Sequence, residues 1–151
     1  MDNMNEKVID NLNHLIAICN DGKYGYQTAA EDADSAALRA MFMEYSTQRA
    51  EFVNTLQQEV RRLGGDPDKG GGPLGAIHRA WIDVKSALSS KDNKAVLGAC
   101  ITGEQAAVNA YDNVLEDGGL SPDLRTLLTE QRRSIEEALY RVQSLHDTVE
   151  S

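Results

Sequence analysis

The 151-residue chain is poor in aromatic residues and proline, and it has no long apolar run. Aromatic residues make up 5% of the chain and prolines number three. This composition argues against a β-sandwich, whose strands favour aromatic and β-branched residues. No stretch approaches the roughly 20 apolar residues that a membrane-spanning helix needs. Residues 1–19 mix charged with apolar side chains and lack the apolar core of a signal peptide. We therefore expect a helical, cytoplasmic protein.

Basic residues are scarce relative to acidic ones. Fifteen Lys and Arg stand against 24 Asp and Glu, and the formal net charge is -9 at pH 7. Binding nucleic acid requires clustered Lys and Arg that neutralise phosphates. Docking on an anionic membrane surface requires basic segments as well. We therefore expect neither nucleic acid nor a membrane as a partner.

Side chains that serve as nucleophiles or metal ligands are also few. The two cysteines, Cys19 and Cys100, fall on apolar stripes and are expected to be small buried side chains instead of a redox pair. Di-iron carboxylate bundles carry a Glu-x-x-His pair on two of their helices. The residues three positions before His14, His78 and His146 are Asn11, Gly75 and Gln143. The sequence thus lacks the ligand set of a ferritin-type oxidase centre, and no metal or cofactor is predicted.

What the chain does have is apolar residues at helical spacing, in three long stripes. Each stripe is interrupted near its middle by one polar residue: Arg49, Glu104 and Gln131. Apolar residues three or four apart predict an amphipathic helix that buries one face. A buried polar group costs free energy unless it is paired. The three interruptions are therefore the most informative positions of the stripes.

Local signals predict where the helices begin and end. We expect helices over residues 3–20, 35–63, 74–89, 92–117 and 121–149, with N-caps at Asp92 and Ser121. Glycine is disfavoured inside helices, so Gly22 and Gly25 are expected to break or bend the first one, with another turn or two over 26–32. The stretch 66–75, which contains three consecutive glycines before Pro73, is predicted to be a loop. It is not a phosphate-binding P-loop, because the Gly-Lys-Ser/Thr ending and a preceding strand are both missing.

The order of these helices predicts the fold class. Four long helical units and one short helix indicate an all-α bundle that forms a single domain over residues 1–151. Short connections join the first pair and the last pair as antiparallel neighbours. The link between the pairs is long and contains the short helix. Two hairpins joined by such a crossover are the connectivity of a ferritin-like four-helix bundle.

Several short sequence pieces, each present once, together form a specific pattern along the chain. They are Asp21–Tyr26, Ala29–Glu31, Gln48–Arg49, Leu63–Gly65 with Pro67, Gly75–Trp81, Val84–Leu88, Gly103–Glu104 and Tyr111. Through these pieces, the chain resembles, over nearly its whole length, a bacterial family of ferritin-like four-helix-bundle proteins of unknown function. The resemblance implies this fold and a stress-linked bacterial role, and it supplies no reaction. Relatives carry more acidic residues where this chain has Ala99–Thr102, which weakens any inherited acidic site.

The candidate site is the set of polar interruptions. We expect Arg49 and Glu104 to form a buried ion pair, with Gln131 and either Tyr45 or Tyr111 completing its hydrogen bonds. Desolvation offsets much of the attraction within such a pair. Its expected effect is therefore to fix the register of the helices. The functional alternative is that Glu104 binds a cation or a small ligand inside the bundle.

His78 is a secondary candidate. It stands beside the inward positions Ile77 and Trp81, so it could be a ligand or an acid–base group near neutral pH. We favour a structural role, in which His78 fixes the short helix by a hydrogen bond. A catalytic role would need a cysteine, serine or carboxylate partner, and none lies at a suitable spacing in the sequence. Trp81 is expected to be the core anchor of that helix.

These observations favour a non-enzymatic protein with a structural or partner-binding role, either as a homodimer or with another protein. The alternative is a divergent ferritin-like protein that binds iron or manganese without the usual ligands. A third reading is an enzyme that uses His78 and Glu104 for proton transfer.

Overall fold

The computed structural model describes residues 2–67 and 76–149, with side chains described for 5–67, 79 and 81–149. This part of the chain is all-α, with five helices and no strand, as the stripes predict. The helices are α1 (Asp2–Asp32), α2 (Ala36–Arg62), α3 (Ala76–Ser89), α4 (Asn93–Glu116) and α5 (Pro122–Thr148). Leu74, the predicted first residue of the short helix, lies outside the described residues.

The helix ends follow from local chemistry. The carboxylate of Asp92 accepts a hydrogen bond from the backbone N–H of Ala95 at the start of α4, and the hydroxyl of Ser121 caps α5 in the same way. Both predicted N-caps are confirmed. Ser35 likewise caps α2. Gly64, with φ of 86°, follows the end of α2, where a residue in the left-handed region terminates a helix.

The predicted break in the first helix is wrong, because α1 runs without interruption from Asp2 to Asp32. A glycine inside a helix costs about 1 kcal/mol relative to alanine. At Gly25 that cost accompanies close packing, since a Cβ there would lie 2.2 Å from Cε3 of Trp81. The glycine allows α3 to approach α1 and does not end the helix.

The four long helices lie in the cyclic order α1, α2, α5, α4. α1 pairs with α2, and α4 pairs with α5. The side chain of Asn11 in α1 donates a hydrogen bond to Asp117 just after α4, at 2.9 Å. Arg141 of α5 lies 3.7 Å from Glu44 of α2. α3 packs outside this ring, against α1 and α4, and lies within the connection between the two pairs.

The core fills the space between the helices. Its members come from all five of them, and the largest apolar side chains with almost no exposure are Tyr26, Tyr111, Phe42, Leu12, Leu15, Met41, Leu56, Leu97, Leu128 and Ile135. Each such burial contributes roughly 1.5–3 kcal/mol to folding. Within the described residues, no helix combines the length and the apolarity needed to cross a bilayer.

Candidate functional site

A bidentate ion pair lies at the centre of the molecule. Arg49 in the middle of α2 donates from Nη1 to Oε1 of Glu104 at 2.7 Å and from Nη2 to Oε2 at 2.5 Å. The side chains of Arg49 and Glu104 are 2% and 0% exposed. Paired N–H groups on a planar guanidinium match the two carboxylate oxygens, which is the strongest arrangement of such a pair. The structure thus brings together the two residues that interrupt the stripes of α2 and α4.

Tyr26 of α1 completes the hydrogen bonds of this carboxylate. Its hydroxyl donates to Oε2 of Glu104 at 2.8 Å, and its ring centroid lies 5.6 Å from Cζ of Arg49. Nε of Arg49 donates to the side-chain oxygen of Gln48 at 3.3 Å. Glu104 therefore accepts three hydrogen bonds, and helices α1, α2 and α4 are joined at one point. We call Arg49, Glu104 and Tyr26 the central cluster.

Burial and pairing together determine the charges of the central cluster. Burial alone would lower the pKa of Arg49, but the charge and the hydrogen bonds of Glu104 raise that pKa above its ordinary value. Burial, followed by the nearby charge of Glu104, raises the pKa of Tyr26 well above its usual value. Arg49 is thus a permanent cation and Tyr26 a neutral hydrogen-bond donor.

A second polar group lies about two turns further along α4. The hydroxyl of Tyr111 donates to Oε1 of Gln131 in α5 at 2.7 Å, and Sγ of Cys19 in α1 lies 3.3 Å from the same hydroxyl oxygen. Because the phenol proton is used for Gln131, the thiol of Cys19 donates to Tyr111. Burial raises the pKa of Cys19 to about 11. The pKa of Cys100 is also raised, chiefly by burial. Neither thiol is an activated nucleophile at neutral pH.

The structure distributes the predicted polar residues over these two groups. Tyr111 bonds both Gln131 and Cys19, so Gln131 and Tyr111 do not complete the ion pair as expected. Tyr45 packs its ring against the ring of Tyr26, with centroids 5.5 Å apart. The physical reason is height along the helices: Gln131 lies level with Tyr111, and Tyr26 lies level with Glu104.

Tyr26 is the member of the central cluster that sequence reasoning missed. The signal was present, because Tyr26 follows Cys19 at a spacing of seven residues on the stripe of α1. A break or bend at Gly22 and Gly25, as predicted, separates Tyr26 from that stripe, although Tyr26 is still expected to face inward. A continuous α1 places Tyr26 on the same inner face as Leu12 and Cys19, where it is fully buried.

Trp81 of α3 covers the central cluster from outside. Its ring meets the ring of Tyr26 edge-on with centroids 4.9 Å apart, and only 7% of the residue is exposed. A Cβ added at Gly103 of α4 would lie 2.8 Å from Cε2 of Trp81, and one at Gly22 would lie 3.2 Å from Nη1 of Arg49. Glycines on α1 and α4 thus form the slot that Trp81 fills.

The remaining candidate from the sequence is His78. His78 lies in α3, but its side chain is outside the described part of the molecule. His146 lies 3.5 Å from its neighbour Asp147 near the end of α5. Among the side chains that the structure describes, no three His, Cys, Asp or Glu residues are grouped so that they could hold a metal ion.

A shallow groove of about 160 Å³ runs along the surface between α1 and α3. It is lined by Asp21, Tyr24 and Gly25 from α1 and by Trp81, Ile82 and Lys85 from α3. Two of its large apolar residues, Tyr24 and Ile82, are 59% and 50% exposed. We call this surface the α1/α3 groove.

A family model described as Domain of unknown function (DUF2383) matches residues 7–117. The match includes the whole central cluster and Trp81. It stops before α5, so it is shorter than the nearly full-length resemblance inferred from the sequence pieces. No curated protein matches the chain.

Proposed function

The chain belongs to the family described as Domain of unknown function (DUF2383), and from its central cluster we propose that it is a non-enzymatic helical protein with a structural or protein-binding role. The observation that carries this proposal is the closure of Glu104. Both of its oxygens accept hydrogen bonds from Arg49 or Tyr26, and the side chain has no solvent exposure. The cluster joins three helices and presents no group to a substrate.

The chemistry of the neighbouring groups supports this proposal. An enzyme site is a concave pocket that admits a substrate to polar groups of tuned pKa. Here Trp81 of α3 packs over the central cluster and separates it from solvent on that side. Burial raises the pKa values of Tyr26 and Cys19, which keeps both side chains protonated. A protonated thiol or phenol without an adjacent base is a poor nucleophile.

We further propose that the fold is ferritin-like. Two features support this assignment: the pairing of α1 with α2 and of α4 with α5, and the position of α3 within the connection between the pairs. In such bundles, residues on facing helices build the central site. In this chain the corresponding place holds an ion pair, and we propose that its role is to fix the register of the helices.

The competing function is a divergent metal protein in which Glu104 is a ligand. Elemental analysis tests it on protein purified without chelators, with and without added iron(II) or manganese(II). We expect far less than one metal ion per chain, with the same content in wild type, Glu104→Gln and the control Asp112→Asn. The control removes a carboxylate that pairs with Arg132 near the surface. Stoichiometric metal that is lost in Glu104→Gln and kept in Asp112→Asn would refute the proposal.

A further inference from the structure

The short helix α3 is attached to the ring of long helices by little buried surface. Of its described side chains, residues 79 and 81–89, only Trp81, Val84 and Ala87 are buried. By contrast, α2, α4 and α5 bury eight, ten and seven residues. Burial of apolar surface is the main force that holds a helix in place, and elements with few buried side chains open at the lowest free energy. By this measure, α3 is the helix that opens most easily.

The seam between α3 and α1 is also incompletely packed at the surface. The α1/α3 groove, with a volume of about 160 Å³, runs along this seam, and Tyr24 and Ile82 on its two sides are 59% and 50% exposed. Within residues 81–89, the hydroxyl of Ser89 bonds Lys85 of the same helix, and no side chain there bonds a long helix. These residues therefore hold α3 to the ring by apolar contact alone.

Trp81 provides the largest part of that apolar contact. A Cβ at Gly103 of α4 would lie 2.8 Å from its ring. A Cβ at Gly22 of α1 would lie 3.7 Å from Cζ2 of Trp81 and 3.2 Å from Nη1 of Arg49. The indole thus occupies a narrow space beside the guanidinium of Arg49 and the ring of Tyr26. Removing the indole from this space would open one side of the central cluster to water.

A tight turn joins the end of α3 to the start of α4. It comprises Ser90–Asp92, and Lys91 within it has φ of 56°, in the left-handed region. The backbone N–H groups of Lys91 and Asp92 donate to the carbonyl oxygens of Leu88 and Ala87. Hinges are typically a few residues at the ends of elements that absorb changes in φ and ψ. This turn can therefore act as a pivot that keeps α3 tethered to α4.

We propose that α3 is a lid on the central cluster, which undocks as a unit about the turn Ser90–Asp92 while the four long helices stay folded. Trp81 is the latch of this lid. In the docked state its ring separates Tyr26 and Arg49 from water on one side. In the undocked state water reaches both residues from that side. The lid gives the molecule a second conformation, which goes beyond the structural role proposed above.

Native-state amide hydrogen exchange of the full chain, followed by mass spectrometry of peptic peptides, tests the lid. We expect the amides of α3 to exchange about tenfold or more faster than those of α2 and α4, because undocking needs less free energy than unfolding of the ring. Their exchange should also depend less steeply on added urea, because undocking exposes less surface than global unfolding. Equal rates and equal urea dependence in α3 and α4 would refute the lid, since α3 would then open only with the whole fold.

Two substitutions disturb the latch from opposite sides. Trp81→Ala removes the ring, and Gly103→Ala places a Cβ against the ring from α4. In each variant we expect the amides of α3 to lose their protection from exchange, while those of α2 and α5 stay protected. Circular dichroism should show that most of the helix content remains in both variants.

Each substitution has a matched control on its own helix. Ile82→Ala truncates the neighbour of Trp81, which is half exposed, and Gly98→Ala adds a Cβ to α4 that meets no atom closer than 3.7 Å. Both controls should keep α3 protected. Protection of α3 that survives Trp81→Ala would show that Trp81 is not the latch. Loss of protection in α2 and α5 together with α3, or unfolding of the whole chain, would show that α3 is not a separate unit; either result overturns the proposal.

Discussion

Arg49 and Glu104, the partners of the central ion pair, can be replaced singly and together. The results should show that burial, and not the N–O distance, determines how much an ion pair contributes to the stability of the fold. Arg49→Met leaves the carboxylate of Glu104 buried with only the hydroxyl of Tyr26 as a partner. Glu104→Leu leaves a buried guanidinium without its counter-charge. Removing one partner of a buried pair costs about 3–5 kcal/mol. In a chain of this length, 1 kcal/mol shifts the melting temperature by roughly 2–4 °C, so each single variant should melt roughly 6–20 °C below wild type.

The double variant should recover most of this loss. An apolar pair of similar volume is commonly neutral or more stable than a buried ion pair, because neither side chain is desolvated as a charge. One cost remains, since the hydroxyl of Tyr26 then has no acceptor, and an unpaired buried hydroxyl costs about 1–3 kcal/mol. Adding Tyr26→Phe to the double variant should remove that residual cost.

The surface pair Arg132–Asp112 is the matched control. Its closest N–O distance is also 2.5 Å, but the side chains are 27% and 43% exposed. Exposed pairs contribute roughly 0–1 kcal/mol, so Arg132→Met and Asp112→Asn should each cost no more than that. Urea unfolding followed by circular dichroism gives the free energies for both cycles. Additive losses at Arg49 and Glu104, or losses as small as those of the surface pair, would contradict the reasoning.

Three further outcomes are expected. Gly25→Ala should lower the free energy of unfolding by about 1–3 kcal/mol despite a better helix propensity, because its Cβ would overlap the ring of Trp81. Gly98→Ala is the control, since its Cβ would meet only the flexible side chain of His146 at 3.7 Å. It should raise the free energy of unfolding by about 0.5–1 kcal/mol, measured for both variants by urea unfolding. Cys19 and Cys100 should react with a thiol reagent at pH 8 only after urea unfolds the chain, and fast labelling of the native protein would refute their burial. Stability should fall as the pH rises from 9 to 11, because the thiols of Cys19 and Cys100 ionise at lower pH in the unfolded chain than in the folded one. Cys19→Ala should make that fall smaller in melts at successive pH values.

Local chemistry explains why the helix ends could be predicted. Asp92 and Ser121 bond backbone groups three residues away, so the information lies within one turn of sequence. The ion pair was also within reach of pattern reasoning. Arg49 and Glu104 stand on apolar stripes, where a charged side chain needs a partner.

Long-range packing explains what could not be predicted. Gly22 and Gly25 resemble a helix end when judged by propensity alone. Their role depends on Trp81, which is far away in sequence and occupies the space that their missing side chains leave. For the same reason, the sequence could not show that Tyr26, and not Gln131, bonds Glu104. This choice of partner depends on the relative heights of helices in the bundle, which apolar periodicity does not specify.

The position of Trp81 gives the molecule an optical reporter of its own. Trp81 is the chain's single tryptophan, and its indole stands edge-on to the phenol ring of Tyr26. Excitation absorbed by that phenol can therefore pass to the indole, whose emission wavelength depends on contact with water. Any event that lifts α3 from α1 would shift the emission to the red and weaken the transfer together, without an added dye.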